Sequence, residues 1–73
     1  MTAARTPVAR VDLRREDFPF VIAAYRVSTD DEVWRRKVTG PAELWIPPLA
    51  RQFGEPVRIR IFWKDGRVEV KEP

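Results

Sequence analysis

Basic residues near the C-terminus alternate with apolar residues, and one phenylalanine lies among them. Arginine and lysine side chains bind phosphate oxygens, and an aromatic ring stacks on a nucleobase. Because side chains at alternate positions of a β-strand share one face, the pattern predicts a basic surface on a β-hairpin. In a second interpretation, the same charges extend into water and prevent aggregation at a sheet edge. The nucleic-acid-binding candidates are Arg58, Arg60, Phe62, Lys64, Arg67 and Lys71.

A second candidate surface is apolar and lies in the segment L-W-I-P-P-L-A-R-Q-F. Its large side chains are dense enough to form a docking site for a protein partner. The same side chains suit a lid that closes the open end of a sheet, and one segment can serve both purposes. The protein-binding candidates are Leu44, Trp45, Ile46, Leu49 and Phe53.

Residues for catalysis are missing from the sequence. The chain has no histidine and no cysteine, so thiol nucleophiles, imidazole bases and the usual zinc, copper and haem sites are excluded. The adjacent acids Asp30, Asp31 and Glu32 lack the spacing of a hard-cation loop. No serine occurs in a G-x-S-x-G turn, and no glycine-rich phosphate loop is present. We therefore expect no enzyme activity, no catalytic residue, no cofactor and no metal.

Length and charge limit the architecture further. Seventy-three residues with a formal net charge of +3 make one small domain, predicted at residues 8–73, after a disordered tail at residues 1–7. A core this small is expected to rely on aromatic side chains. No apolar run reaches the roughly 18 residues that span a bilayer, and no signal peptide is evident, so the expected location is the cytoplasm.

The stretch at residues 57–71 is the strongest structural signal, because it predicts a β-hairpin. Asp65 and Gly66 suit the two central positions of a type I′ turn. In that register Ile61 faces Val70, and every apolar pair lies on the face that is buried. A slip of one residue would send the apolar partners to opposite faces, so burial favours the first register.

The segment after the second predicted strand has two interpretations. A helix at about residues 30–38 is favoured, because Thr29 can cap it, acids lie in its first turn and bases in its last. Gly40 and the proline after it would end that helix. In the alternative, residues 33–39 form a strand that returns antiparallel to residues 20–27.

These elements predict an α+β fold. A small antiparallel sheet would contain a C-terminal β-hairpin, covered by short helices at about residues 30–38 and 48–53. The alternative is an SH3-like five-stranded β-barrel, in which residues 33–39 are a strand. The strands of the sheet are expected at residues 8–13, 20–27, 57–64 and 67–71.

The expected function is a non-catalytic protein-interaction module or accessory subunit. It would bind a protein partner, or a second copy of itself, through a sheet edge or through the surface formed by residues 45–53. The alternative is a small nucleic-acid-binding domain that uses the basic outer face of the hairpin, and steep salt dependence of binding would identify it. No membrane partner is expected.

Overall fold

The computed structural model describes residues 6–7 and 13–73, and its main feature is a four-stranded antiparallel sheet. The strand order is β3-β2-β5-β6, and β1 and β4 form a separate two-stranded sheet. The described strands do not close into a barrel, so the SH3-like alternative is wrong. The elements are β1 (Thr6–Pro7), β2 (Phe20–Arg26), β3 (Glu32–Val38), β4 (Trp45–Ile46), α1 (Leu49–Phe53), β5 (Val57–Phe62) and β6 (Val68–Lys71), with single 3₁₀ turns at Arg15–Asp17 and Pro41–Glu43.

Strand β2 lies at the centre of the fold, with β3 on one side and β5 on the other. Its nearly continuous apolar sequence is typical of a strand that is covered on both faces. Ile22, Ala23 and Ala24 are fully buried in succession, although neighbouring residues of a strand point to opposite faces. The strand predicted at residues 20–27 is therefore confirmed.

The helix predicted at residues 30–38 is wrong, because Glu32–Val38 form strand β3 antiparallel to β2. The capping and charge signals that favour a helix are worth only a fraction to about 1 kcal/mol each. Pairing along β2 instead buries Val38 completely and packs Trp34 against the core. Tertiary burial outweighs the local signals, and the strand alternative is confirmed.

The C-terminal hairpin forms as predicted, but its register differs by one residue. Ile61 faces Glu69, and Phe62 faces Val68. Val68 and Val70 therefore lie on the face of the sheet that is turned away from the core, which we call the outer face. The opposite face, toward the core, is the inner face.

The hairpin loop explains the register. Gly66 N donates to the carbonyl oxygen of Trp63 at 3.1 Å, and Trp63 N donates to the carbonyl oxygen of Arg67 at 2.9 Å. Gly66 has φ 98°, in the region that favours glycine. These contacts describe a three-residue loop that ends in a glycine bulge, whereas the predicted turn has two residues.

The inner face carries the hydrophobic core, and the segment between β3 and β5 covers it. Ile46 and Leu49 from that segment join Ile22 and Ile61 of the sheet in one cluster of buried side chains. Phe20 is the aromatic residue among the buried core residues, so the described core is mainly aliphatic and less aromatic than expected. Helix α1 confirms the helix predicted at residues 48–53. It ends at Gly54 with φ 73°.

Two predictions concern the N-terminal region. The strand expected at residues 8–13 lies mostly outside the described residues, and Leu13 packs against the core without belonging to a strand. The tail expected at residues 1–7 includes Thr6–Pro7, which pair with β4 as strand β1. Residues 1–5 lie outside the described part of the chain.

Candidate functional site

Rows of side chains cross the outer face from β3 to β6. In the central row, Ala23 of β2 lies between Arg35 and Arg60, and Val70 follows on β6. Ala23 is fully buried although it is on the outer face, because the long side chains of its neighbours cover it. The outer face is therefore covered mainly by side chains of the sheet itself.

Asp30 places a carboxylate over the basic residues of β5. It lies in the loop between β2 and β3 with φ 61°, a left-handed conformation that aspartate tolerates better than most residues. Its Oδ1 lies 3.1 Å from Nη2 of Arg60 and 3.4 Å from Nη1 of Arg58. Glu72 Oε1 lies 3.0 Å from Nε of Arg58, and the Arg60 guanidinium lies 4.2 Å from the ring centroid of Tyr25. Both arginines are therefore engaged within the chain.

The remaining basic candidates also have partners. Lys64 Nζ donates to the backbone carbonyl of Phe18 at 3.0 Å. Arg67 Nε lies 2.7 Å from a carboxylate oxygen of Asp65, and Lys71 Nζ lies 3.3 Å from one of Glu69. Water competes readily for the charged groups of exposed pairs like these. While the pairs are formed, however, they reduce the positive potential available to a phosphate.

The register of the hairpin also divides the predicted basic surface. Arg58, Arg60 and Phe62 share the outer face, but Lys71 opposes Ile59 and therefore lies on the inner side of the sheet. The Arg67 guanidinium lies 5.7 Å from the Trp63 ring centroid, near the hairpin loop. The prediction that all six candidates form one face is wrong, because it depended on the two-residue turn.

Strand β6 is an exposed edge of the sheet. All four of its residues are exposed, and no described strand lies beyond it. Val68 is 53% exposed and Val70 is 47% exposed, and they are the two most exposed large apolar residues described. We call Val68–Lys71 the β6 edge.

The backbone of the β6 edge has groups that point away from the sheet. In an antiparallel pair, directly opposed residues alternate between a hydrogen-bonded and a non-hydrogen-bonded arrangement. Trp63 N bonds to the carbonyl of Arg67, so the hydrogen-bonded positions of β6 are Arg67, Glu69 and Lys71. The N–H and C=O groups of Val68 and Val70 consequently point outward, that is, away from β5 within the plane of the sheet. Another strand can pair with them there.

The apolar segment predicted as a docking surface lies largely against the core. Ile46 and Leu49 are buried, and Leu44 packs on the core. Trp45 is partly buried, and the Arg36 guanidinium lies 4.2 Å from its ring centroid. Phe53, 36% exposed, is the most exposed candidate of this group, and the Arg26 guanidinium lies 5.8 Å from its ring centroid. The arrangement is that of a lid over the sheet.

Two carboxylates in or next to strand β3 have lowered pKa values. Hydrogen bonds from the backbone N–H and the hydroxyl of Thr39, at 2.7 and 2.8 Å, hold the pKa of Glu43 below its ordinary value. Hydrogen bonds from Arg35 lower the pKa of Glu32, and the same contacts raise the pKa of Arg35. Glu32 is exposed and Glu43 is partly exposed, and their partners belong to β3 and to the residue that follows it.

An open depression lies near the hairpin loop, with Trp63 as its apolar wall. Its volume, about 250 Å³, is below the roughly 300 to 1,000 Å³ of ordinary ligand pockets. Among the described residues, no group of acids has the arrangement of a metal site, and no helix is long and apolar enough to cross a membrane. The residues around the depression are Glu16, Asp17, Trp63, Lys64, Asp65 and Arg67.

Comparisons with models of protein families, with curated proteins and with solved structures found no match. The contacts and the exposed surfaces of the described residues are therefore the basis for a function. Among these surfaces, the β6 edge combines exposed apolar side chains with outward backbone groups.

Sequence reasoning missed three residues of this arrangement. Val68 and Val70 were expected in the core, and Asp30 was expected at the start of a helix. The sequence signal for the position of the valines is Asp65-Gly66. This dipeptide fits a three-residue loop with glycine at its third position as well as it fits a two-residue type I′ turn. No local signal connects Asp30 with Arg60, since thirty residues separate them and only the sheet brings them together.

Proposed function

We propose that this chain is a non-catalytic protein-interaction module or accessory subunit that binds a protein partner by strand addition at the β6 edge. The observation that carries the proposal is the exposure of Val68 and Val70 together with their outward N–H and C=O groups. In strand addition, main-chain hydrogen bonds provide affinity and alternate side chains provide specificity. Catalytic inactivity and a location in the cytoplasm stay predictions.

The outer face next to the β6 edge suits a protein better than a phosphate backbone. Phe62 lies beside Val68, and Val21 of β2 continues the same row, so apolar side chains extend inward from the edge. A partner strand would place its own side chains beside this row. The nearby cations Arg58 and Arg60 already share the Asp30 carboxylate, which weakens the alternative of nucleic-acid binding.

Site-specific photo-crosslinking tests the proposal. The crosslinking residue replaces Val68 in the full chain, and Val27, which is 39% exposed in the loop after β2, provides the matched control position. In the native host we expect protein adducts from position 68 and few from position 27. Nucleic-acid adducts from position 68, or protein adducts at position 27 alone, would contradict strand addition at β6.

A backbone variant separates strand pairing from simple apolar contact. Proline in place of Val70 removes the outward N–H without removing a hydrogen bond to β5, since position 70 is non-hydrogen-bonded in that pair. Val70→Pro should therefore abolish the adducts at position 68, while circular dichroism shows an intact sheet. Val70→Thr keeps the N–H and should retain the adducts. Equal adduct yields from both variants would argue against main-chain pairing.

A further inference from the structure

Strand β6 has a charge pattern that is complementary to itself. Glu69 and Lys71 are acid and base on either side of Val70, and both lie on the inner side of the sheet. When two such strands run antiparallel with Val70 opposite Val70, Glu69 of each faces Lys71 of the other. Opposite charges placed directly across a strand pair are favourable, and like charges are unfavourable.

The geometry points to a second copy of this chain as the occupant of the β6 edge, in an antiparallel pair centred on Val70. This inference rests on the proposed strand addition and specifies its partner. The two central valines exchange both N–H to C=O hydrogen bonds, because their backbone groups point outward. The result is a continuous eight-stranded sheet across a two-fold axis, with the outer faces of both copies on the same side.

Neighbouring registers are less favourable. A pair centred on Glu69 places two carboxylates opposite each other, and one centred on Lys71 places two ammonium groups opposite each other. A pair centred on Val68 brings Val70 against Gly66, which belongs to the hairpin loop and not to the strand. Of these registers, the Val70 pair keeps both members of its opposite-charge pair, Glu69 and Lys71, within the strand of each copy. The Val68 pair also sets opposite charges against each other, but it uses Arg67 and Asp65, which lie outside β6.

The other sheet edge, strand β3, is less suited to pairing with a second copy. Strand β3 carries three consecutive bases, Arg35, Arg36 and Lys37. In an antiparallel pair centred on Arg36, Arg35 would oppose Lys37 of the other copy on both sides of the axis. Like charges on an edge strand disfavour that register. A pair centred on Trp34 would set Glu32 opposite Arg36, but it crosses the bulge at Val33, and a bulge twists an edge strand away from pairing. Strand β6 is therefore the edge better suited to a second copy.

The charges select the register more than they add affinity. Within one copy, Lys71 Nζ already lies 3.3 Å from Glu69 Oε2, and Trp63 Nε1 donates to Glu69 Oε1 at 3.2 Å. The Glu69 and Lys71 side chains are nearly half exposed, so the contact between them can be exchanged. Dimerisation exchanges this contact for an equivalent one between copies. Because one short strand buries a small area, the dimer belongs to the weak, transient class of interfaces.

Charge reversal with complementation tests the inference. Glu69→Lys places lysine opposite Lys71 of an identical copy, and Lys71→Glu places glutamate opposite Glu69, so each variant alone should self-associate roughly tenfold more weakly than the unchanged chain. A mixture of the two variants pairs opposite charges at both positions and should form a heterodimer. The double variant Glu69→Lys with Lys71→Glu should recover self-association.

Sedimentation equilibrium at up to about 1 mM protein measures these affinities, since a weak dimer requires high concentration. Heteronuclear NMR spectra confirm that each variant is folded and locate the interface at Val68 and Val70. A monomeric unchanged chain at this concentration, or single variants that associate as strongly as it does, would overturn the inference. If hetero-protein adducts at position 68 persist in that case, strand addition stands and only the second copy is excluded.

Discussion

Glu43 stabilises the turn after β3 through the two hydrogen bonds that it accepts from Thr39. Its folded pKa lies below the ordinary value of 4.5, so its contribution to stability is complete above that pH and is lost as the pH falls through the lower folded value. Glu43→Gln removes this titration. We expect the variant to be less stable than the unchanged chain at neutral pH, and the difference to shrink in acid.

Urea unfolding at about pH 7 and about pH 2, below the carboxylate range, measures both effects. Glu16→Gln is the control, because Glu16 is an exposed carboxylate in the Arg15–Asp17 turn. The role assigned to Glu43 is wrong if the two variants show the same difference from the unchanged chain at both pH values.

The burial of single residues is predictable from the sequence on strand β5 but not in the loop that contains Asp30. The alternation of Ile59 and Ile61 with Arg58 and Arg60 predicts which side of β5 is buried, and the structure has that arrangement. Asp30 was not predictable in the same way. Its position depends on a loop conformation and on a strand that is distant in sequence, neither of which a local pattern encodes.

At the scale of elements, strands and turns were predictable where burial determined them. The central strand, helix α1 and the hairpin have sequence patterns that agree with their surroundings. The β3 segment is predicted as a helix because its capping and charge signals are local. Its pairing with β2 depends on residues elsewhere in the sheet, so local signals do not reveal it. The register of β6 was mistaken because the prediction assumed that both valines are buried, although an edge strand can expose them.

Gly66 determines that register, and its substitution tests the three-residue loop. At φ 98° an L-residue is strained, and nothing lies within 4 Å of an added Cβ, so Gly66→Ala should act through backbone strain alone. We expect a loss of about 1 to 2 kcal/mol in the free energy of unfolding. Thermal or urea unfolding measures it.

Gly40→Ala is the matched control for Gly66→Ala. Gly40 also has open space around it, but its φ is −168°, an extended conformation that any residue adopts. Its replacement should change stability little. Equal losses in both variants would contradict the left-handed bulge at Gly66. They would also contradict the register that places the Val68 and Val70 side chains on the outer face.

At the scale of the whole molecule, the lid covers the core and the sheet carries the exposed β6 edge. The lid of residues 41–53 supplies Ile46 and Leu49 to the core, so the inner face is buried at its centre, around Ile22 and Ile61. The outer face relies on its own long side chains for cover. This arrangement leaves the β6 edge exposed, because the described lid residues share a core cluster with residues of β2, β3 and β5, and no residue of β6 belongs to that cluster.

Arg36 joins the two layers, which makes it the best test of the whole arrangement. Its guanidinium lies 4.2 Å from the ring centroid of Trp45 and 5.0 Å from that of Trp34, and Nη1 donates to the carbonyl of Trp45 at 3.2 Å. Lysine keeps the charge but lacks the planar, stacking guanidinium. Arg36→Lys should therefore lower the free energy of unfolding by about 1 kcal/mol, as expected for cation–π contacts that are partly shielded from water.

Urea unfolding, followed by circular dichroism and by tryptophan fluorescence, measures the change. Arg51→Lys in α1 is the control, because Arg51 is exposed on the lid surface and should tolerate the exchange. The tryptophan emission of the folded state should shift in Arg36→Lys and not in Arg51→Lys, since the Trp45 ring loses its stacked neighbour. If both variants match the unchanged chain in stability and emission, Arg36 does not hold the lid to the sheet, and core burial alone must do so.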